Sequence, residues 1–503
     1  MLRRKRRKNH SILMVTPEAV PFAKAGGLGD AVSALAQELD RDGHDVRILM
    51  PRYHGIGRER LYRYPTPFSV RVGEDIFTTA LYEGRLGDSS VVVYFIDHED
   101  LYAREGIYGT SAGGYADNLK RFSLLSHAAF AIGPYIGWEA EVVHAHDWPT
   151  ALVPVIARRR AAMGASRPAS VLTIHNVGYQ GAFPVGDLPA SGLSWVDLSE
   201  SSLLHYDSLN LLKAGTVNAD MVTTVSRRYA EEIRTPRRGF SLDRVLAERG
   251  DTLVGILNGV DYDVWNPEKD PYLDVRYTAE TVALKERSKR ALQQELGLPV
   301  TNDLPLIGMV SRLVDQKGFE ELSSPGFGAL PDILEENDAQ LAILGSGEER
   351  YEYYLRSLAH RYRNLSVVIG FDERLAHLIE AASDFFLMPS RYEPCGLNQL
   401  YSLRYGSLPI VTATGGLVDT VQQASPRGGT GFFIDEACPA SIAATVGEAV
   451  TMWHDERNRI DAMRRAAMKL RFGWETAATA YVRVYERARG IAEADRPQRS
   501  TAP

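Results

Sequence analysis

The chain has 503 residues, of which 45% are hydrophobic and 24% are charged, as in ordinary globular proteins with a sizeable core. The formal net charge of −7 argues against nucleic acid as the main partner, and no apolar run approaches the ~20 residues of a membrane span. The only two cysteines, Cys395 and Cys438, argue against a disulfide framework or a cysteine metal site and favour the reducing cytoplasm.

The amino terminus is strongly basic, with six cations among the first eight residues. The apolar run that follows, residues 12–15, is too short for the core of a signal peptide. We therefore expect residues 1–10 to form a disordered basic head, with a weak contact to an anionic surface as the alternative.

A first Rossmann-like domain is predicted over residues 11–260. A buried strand at 11–16, a glycine-rich turn, an amphipathic helix and a second strand at 45–50 form a βαβ opening. The turn contains Lys24, Gly26 and Gly27 but not the dinucleotide fingerprint G-x-G-x-x-G. The two glycines either let the helix and strand pack closely or let backbone N–H groups approach a phosphate beside Lys24.

Polar residues follow several later strands of this domain. Residues 61–97 alternate like an antiparallel hairpin inserted into the sheet. Strands near 142–146, 170–174 and 221–225 lead into Asp147, His175 and Ser226 respectively. Parallel strands deliver their carboxyl ends to one sheet edge, so one site is expected there. His144 falls inside its strand and is predicted to be packed.

A second α/β domain is predicted over residues 261–473. Turn chemistry at 257–267 marks the boundary, and the Asp261 and Asp263 pair is interpreted as a turn rather than a metal site. Strands are expected at 304–310, 340–344, 365–369, 384–388 and 408–411. A helix at 474–490 and a disordered tail at 491–503 complete the chain. Two such domains are expected to face each other across a cleft.

The second domain has cations and glycines at its strand ends. Arg312 and Lys317 lie in one loop, and with Lys24 and the glycine turns at 345–347 and 414–416 they can neutralise a diphosphate without a metal. Such fixed donors stabilise the charge that develops on a departing nucleoside diphosphate. The alternative for the Arg312–Lys317 loop is a solvated surface turn.

Glu393 lies between the strand at 384–388 and a helix predicted at 396–405. A helix amino terminus favours the ionised form of Glu393, which can accept hydrogen bonds from sugar hydroxyls. The backbone N–H groups of 395–397 can donate hydrogen bonds to the same hydroxyls. Phe371, at another strand end, either stacks on a base or simply packs. Asp147 and His175 can hold the sugar from the other domain.

Five motifs together resemble bacterial glycogen synthases and plant starch synthases, over residues 12–485: Lys24-Ala-Gly-Gly-Leu-Gly-Asp30, His146-Asp-Trp148, His175-Asn-Val-Gly-Tyr-Gln-Gly181, residues 311–318 and residues 389–420. The resemblance implies the two-domain GT-B fold and transfer of glucose from ADP-glucose to the non-reducing 4-hydroxyl of an α-1,4-glucan such as glycogen. It further implies retention of the α configuration with no metal or other cofactor. The helix from Trp474 is expected to cross back to the first domain.

The same resemblance assigns roles to individual residues. Lys24 matches a nucleotide contact and Gly27 a phosphate-binding glycine, while Arg312 and Lys317 match the pair that stabilises the leaving diphosphate. Glu393 and His175 match residues beside the donor glucose. Asp147 is a further catalytic candidate from its place at a strand end, not from the resemblance. Phe371 matches the adenine-stacking ring. The turns and the helix start, apart from the resemblance, add the predicted substrate contacts Gly345, Cys395, Gly396, Leu397, Thr414, Gly415 and Gly416. Gly473 departs from the family, where Ser is usual.

Three alternatives stay open from the sequence. UDP-glucose can replace ADP-glucose as donor, because the base pocket has no clear signature. Another GT-B enzyme, such as a glucan phosphorylase, is disfavoured since no lysine has a pyridoxal-phosphate context. A non-enzymatic glucan-binding protein is disfavoured by the intact Lys24, Arg312, Lys317 and Glu393.

Overall fold

The computed structural model describes residues 9–110, 113–198 and 203–495. It divides into two compact units, one formed by residues 1–259 with 474–503 and the other by residues 260–473. The predicted disordered head up to residue 8, and the tail beyond residue 495, lie outside the described residues. Residue 10 is part of the fold, because His10 is 1% exposed and its backbone N–H donates to His44 Nδ1 at 3.1 Å.

The first unit contains both parallel and antiparallel strands. The strands are β1 Ser11–Val15, β2 Asp45–Pro51, β3 Tyr62–Arg63, β4 Phe68–Val72, β5 Asp75–Arg85, β6 Val92–Asp97, β7 Gly109–Thr110, β8 Gly113–Gly114, β9 Val142–His146, β10 Ala169–Ile174, β11 Ala182–Pro184, β12 Leu204–His205, β13 Ser208–Asn210, β14 Met221–Thr224 and β15 Leu253–Gly255. Its helices before residue 260 are α1 Gly27–Arg41, α2 Glu99–Tyr102, α3 Asn118–Ile136, α4 Leu152–Ala162, α5 Leu211–Asn218, α6 Arg227–Glu232 and α7 Asp243–Glu248.

The main sheet of this unit has the order β15-β14-β10-β9-β1-β2-β6-β5-β3, with β4 paired to β5. Strands β15 to β6 run parallel, and β5 is antiparallel to β6. The antiparallel segment predicted at 61–97 therefore extends one edge of the sheet. The order reverses at β1, whose neighbours are β2 and β9. Open α/β sheets bind ligands at such a switch point, beyond the carboxyl ends of the strands.

The second unit is one six-stranded parallel sheet with helices. Its strands are β16 Leu306–Val310, β17 Gln340–Gly345, β18 Leu365–Ile369, β19 Phe385–Met388, β20 Leu408–Thr412 and β21 Phe432–Ile434. Its helices are α8 Lys285–Glu295, α9 Phe319–Ser323, α10 Leu330–Glu336, α11 Glu349–Arg361, α12 Glu373–Ala382, α13 Asn398–Tyr405, α14 Gly415–Thr420, α15 Pro439–Asp455 and α16 Arg457–Lys469. In the order β18-β17-β16-β19-β20-β21, the direction of the strand order reverses at β16, so the switch point lies between β16 and β19.

Both sheets follow the strand pattern of dinucleotide-binding folds. Their central strands are largely apolar, and β9, β10, β14, β17, β19 and β20 are buried at every position. This burial is expected when parallel strands are covered on both faces, and it explains why these strands read as continuous apolar runs.

The last helix, α17 Trp474–Ala494, belongs to the first unit. The prediction of a disordered tail from residue 491 is wrong for 491–494, which continue this helix. Ala488 and Ala492 are buried four residues apart, so the apolar face persists to the helix end. Within the described residues, no helix is long and apolar enough to cross a membrane.

Candidate active site

The switch point of the first unit brings together Asp147 and His175. Asp147 follows β9 and His175 follows the neighbouring strand β10. The Asp147 Oδ1 atom accepts the backbone N–H of His175 at 2.6 Å and that of Asn176 at 3.4 Å. Asp147 itself adopts a left-handed backbone with φ of 57°. Two of the three residues predicted at this sheet edge, Asp147 and His175, are thus in contact, and Asp147 holds the loop that carries His175. The third, Ser226, caps α6 by accepting the Tyr229 N–H at 3.1 Å.

Burial shifts the protonation of both groups. Loss of solvent raises the pKa of Asp147 to about 7, although the N–H groups of His175 and Asn176 oppose the rise. Burial lowers the pKa of His175 to about 3. Near neutral pH, His175 is therefore an uncharged imidazole, while Asp147 is divided between its acid and its carboxylate forms.

Two further histidines, His144 and His146, lie on β9, the neighbour of the strand that leads to His175. His146 Nδ1 lies 3.2 Å from His175 Nε2, a contact that the sequence did not reveal although the His-x-His-Asp alternation contains its signal. His144 is fully buried and lies 3.0 Å from the Tyr485 hydroxyl and 2.6 Å from that of Thr173. The prediction that His144 packs within its strand is confirmed.

The glycine-rich turn before α1 presents Lys24 and Gly27 to solvent. The Lys24 side chain is 48% exposed, and its Nζ lies 2.7 Å from the Asp30 carboxylate. Gly27 begins α1, and the residue before it, Gly26, caps the helix in extended backbone without a side-chain hydrogen bond. The first N–H groups of α1 are therefore not capped by a side chain, as an anion site at a helix amino terminus requires.

A buried carboxylate below this turn was missed by the sequence reasoning. Glu18 accepts the backbone N–H groups of Ala25 and Gly26 at 2.7 and 3.1 Å, and the Tyr108 hydroxyl at 2.6 Å. Burial raises the pKa of Glu18, and these hydrogen bonds oppose the rise. Because Glu18 and Tyr108 are 90 residues apart, no local pattern could have paired them.

In the second unit, the structure pairs Lys317 with Glu393. Lys317 Nζ lies 2.5 Å from Glu393 Oε2, which also accepts the Ser390 hydroxyl at 3.1 Å. The Glu393 side chain is 7% exposed, so this ion pair is largely shielded from water. The sequence predicted Lys317 as a diphosphate contact, and its direct contact with the sugar-side carboxylate is new.

Arg312 lies in the same loop and is exposed. Its guanidinium has no hydrogen bond or ion pair with any residue in the described part of the chain. Together with Lys317, Ser390, Leu397 and Asn398 it lines a cavity of about 180 Å³ at the carboxyl ends of β16 and β19. An unpaired guanidinium at a switch point is well placed for bidentate binding of an anion.

The glycines predicted to contact substrate also have packing roles. A Cβ on Gly345 would lie 2.0 Å from the Ser311 carbonyl oxygen, and one on Gly416 would lie 2.0 Å from that of Cys395. Gly415 has φ of 45°, and a Cβ there would meet the Glu393 carbonyl oxygen at 1.9 Å. These glycines let the loops that carry Arg312 and Glu393 approach their neighbours.

The remaining predicted residues occupy different environments. Cys395 is 6% exposed and Thr414 is 3% exposed, so both are covered by protein. Gly396 has φ of 69°, which delays the start of α13 to Asn398 from the predicted residue 396. Phe371 follows the edge strand β18 and is 82% exposed, and it does not line the cavity beside Arg312. Within the described ranges, no cluster of three or more His, Cys, Asp or Glu residues could hold a metal ion.

Comparison with solved structures identifies the fold. The catalytic domain of starch synthase IV from Arabidopsis thaliana, described as bound to ADP and acarbose, matches with a TM-score of 0.86 and 30% identity, covering 96% of this chain and 100% of that one. A sucrose-phosphate synthase from Thermosynechococcus elongatus matches in fold alone, with a TM-score of 0.58 and 18% identity. The chain is therefore a glycosyltransferase of the GT-B fold.

Sequence comparisons narrow this class. Residues 11–248 match the starch synthase catalytic domain family, and residues 293–466 match glycosyl transferases group 1. A glycogen synthase from Treponema denticola is 48% identical over 94% of this chain and 97% of its own length. Glycogen synthase 1 of Geobacter metallireducens is 43% identical over 96% of each. The chain belongs to the family of glycogen and starch synthases, which confirms the resemblance drawn from its motifs.

Proposed function

We propose that the protein transfers glucose from ADP-glucose to the non-reducing 4-hydroxyl of an α-1,4-glucan such as glycogen, with retention of the α configuration and release of ADP. The observation that carries the proposal is the shielded Lys317–Glu393 ion pair beside the exposed, unpaired Arg312. Arg312 and Lys317, which are suited to a diphosphate, line one cavity, and Glu393, which is suited to a sugar, is ion-paired with Lys317.

Arg312 and Lys317 stabilise the departing ADP in this proposal. Arg312 offers a planar fork of N–H donors, and Lys317 a point charge already fixed by Glu393. Because both charges are in place before the reaction, they stabilise the negative charge on the leaving oxygen without reorganisation in the transition state. Lys24 and the amide of Gly27 add donor contacts from the first unit.

Glu393 orients the donor glucose, and His175 contacts it as a neutral imidazole or through its backbone carbonyl. The bond between C1 and the phosphate oxygen breaks as the bond from the acceptor O4 to C1 forms on the same face. The acceptor proton passes to the leaving diphosphate oxygen, so atoms and charge balance. The alternative, a covalent glucosyl-enzyme on Glu393 or Asp147, predicts an adduct that denaturation would trap.

We also propose adenine as the base of the donor nucleotide and the cytoplasm as the cell compartment. Phe371 is exposed enough to stack on adenine, and ADP-glucose is favoured over UDP-glucose because the similar starch synthase IV structure is described as bound to ADP. The cytoplasm is proposed because Cys395 and Cys438 form no disulfide.

The test is the incorporation of labelled glucose into glycogen from ADP-glucose and, separately, from UDP-glucose. We expect incorporation from ADP-glucose, and a loss of about 10²- to 10³-fold in kcat for Arg312→Ala. Arg356→Ala, which removes an exposed arginine on α11, is the matched control and should retain full activity. Incorporation from UDP-glucose alone would correct the donor, and none from either donor with glycogen binding retained would identify a glucan-binding protein instead.

A further inference from the structure

Glu18 is a buried carboxylate that the proposed chemistry does not use. It is 3% exposed and follows β1 at the switch point of the first unit. Thr16 Oγ1 donates to the Glu18 backbone carbonyl at 2.7 Å and accepts its backbone N–H at 3.2 Å, so the residue is fixed at both its main chain and its side chain. A buried carboxylate costs stability unless hydrogen bonds satisfy it, which prompts the question of what this one holds.

The Glu18 carboxylate holds the turn at Ala25 and Gly26. One oxygen, Oε2, accepts both backbone N–H groups, and the other accepts the Tyr108 hydroxyl. Elsewhere the turn is held by two backbone hydrogen bonds between Ala19 and Ala23 and by the ion pair of Lys24 with Asp30. The N–H groups of Ala25 and Gly26 bond to Glu18, so the end of the turn that leads into α1 depends on this carboxylate.

We propose that Glu18 is a positioning residue for the donor diphosphate, acting through the turn and not by contact with substrate. By accepting the N–H groups of Ala25 and Gly26, it leaves the following N–H groups of α1 directed outward and fixes the backbone from which Lys24 projects. This inference rests on the proposed nucleotide-sugar donor. Its ligand is the diphosphate of that donor, and the glucan acceptor is not involved.

The decisive variants are Glu18→Ala and Glu18→Gln. Alanine removes all three accepted hydrogen bonds. Glutamine keeps a carbonyl oxygen that can accept from both turn N–H groups, while its NH₂ group donates to the Tyr108 oxygen. Glu38→Ala is the matched control, because it removes another buried glutamate of the same unit, 8% exposed and paired with Arg41 on α1.

The measurements are the Kd of ADP by calorimetry and the KM values for ADP-glucose and for glycogen. We expect Glu18→Ala to raise the ADP Kd and the donor KM by about 10- to 100-fold, because two N–H bonds to a charged group are lost. The KM of Glu18→Ala for glycogen should not change. The ADP Kd and donor KM of Glu18→Gln should stay within about 3-fold of the wild-type values, and those of Glu38→Ala should equal them. If Glu18 had a purely structural role, its loss would weaken the binding of ADP-glucose and of glycogen together.

Two results would overturn the proposal: wild-type ADP affinity in Glu18→Ala, or equal impairment in the alanine and glutamine variants. If Glu18→Ala does not fold, Glu18→Asp replaces it, since the shorter side chain withdraws the carboxylate by one methylene and should cause the same loss of ADP affinity. If the wild-type protein binds no ADP and transfers no glucose, the proposed function fails instead. Trypsin cleavage after Lys24 then still tests the turn: faster cleavage in Glu18→Ala supports the positioning role, and an unchanged rate refutes it.

Discussion

The raised pKa of Asp147 makes a quantitative prediction about stability. A carboxyl whose pKa rises from 3.8 to about 7 on folding binds a proton more tightly in the native than in the unfolded chain. Folding stability therefore falls as pH rises between these two values. At 1.36 kcal/mol for each tenfold change in proton affinity, the full loss is about 4 kcal/mol above pH 7.

Asp147→Asn removes this titration but keeps an oxygen that can accept the His175 N–H. We expect wild type and variant to be equally stable near pH 4, and the variant to be more stable by up to about 4 kcal/mol at pH 8.5. Urea unfolding followed by tryptophan fluorescence at several pH values measures the difference. Asp88→Asn, at an exposed turn, is the control and should shift stability by less than about 0.5 kcal/mol at every pH.

Two stability curves that run parallel across the whole pH range would contradict this prediction. A lower stability of Asp147→Asn than of wild type at pH 8.5 would contradict it too. Either outcome would mean that the N–H groups of His175 and Asn176 stabilise the charged form of Asp147 enough to cancel the cost of its burial.

Three other perturbations test the site and its support. Lys317→Ala should destabilise the second unit by about 3 kcal/mol, because it leaves the buried Glu393 charge unpaired, and the double variant with Glu393→Ala should recover part of that loss in urea unfolding. Gly415→Ala should lower both stability and kcat, since its Cβ would displace the Glu393 backbone; circular dichroism melts together with glucose-transfer rates will measure this, and full activity would contradict it. Tyr485→Phe should cost about 1 kcal/mol by removing the hydroxyl beside His144, and an unchanged melting temperature would show that the contact adds nothing.

Many of the candidate site residues in each unit could be predicted, because their positions follow directly from the order of strands in the chain. Asp147 and His175 come immediately after buried strands, Arg312 comes two residues after another, and parallel strands carry such residues to one edge of their sheet. The family motifs supplied the roles. The sequence could not show which side chains touch, so the contact between Lys317 and Glu393, separated by 76 residues, emerged only from the folded loops.

The errors have physical causes of the same kind. The four-residue spacing of Ala488 and Ala492 is too weak a sequence signal to predict that the helix continues past residue 490. Both alanines are buried in the folded protein, and α17 continues to Ala494. Gly396 looked like a helix start, but its left-handed backbone moves the start two residues on. The role of Glu18 was hidden because its partners are backbone N–H groups, which every residue has and no sequence motif marks.

The return of α17 to the first unit has a consequence for synthesis on the ribosome. Residues 260–473 form an uninterrupted unit that can fold once they have emerged. The first unit, although most of it is translated earlier, lacks the helix that places Tyr485 beside His144 until α17, Trp474–Ala494, has been translated. The nascent chain must therefore keep the apolar face of β9 and β10 from misassociating while the later unit folds first, and truncations before residue 474 should need chaperone help to stay in solution.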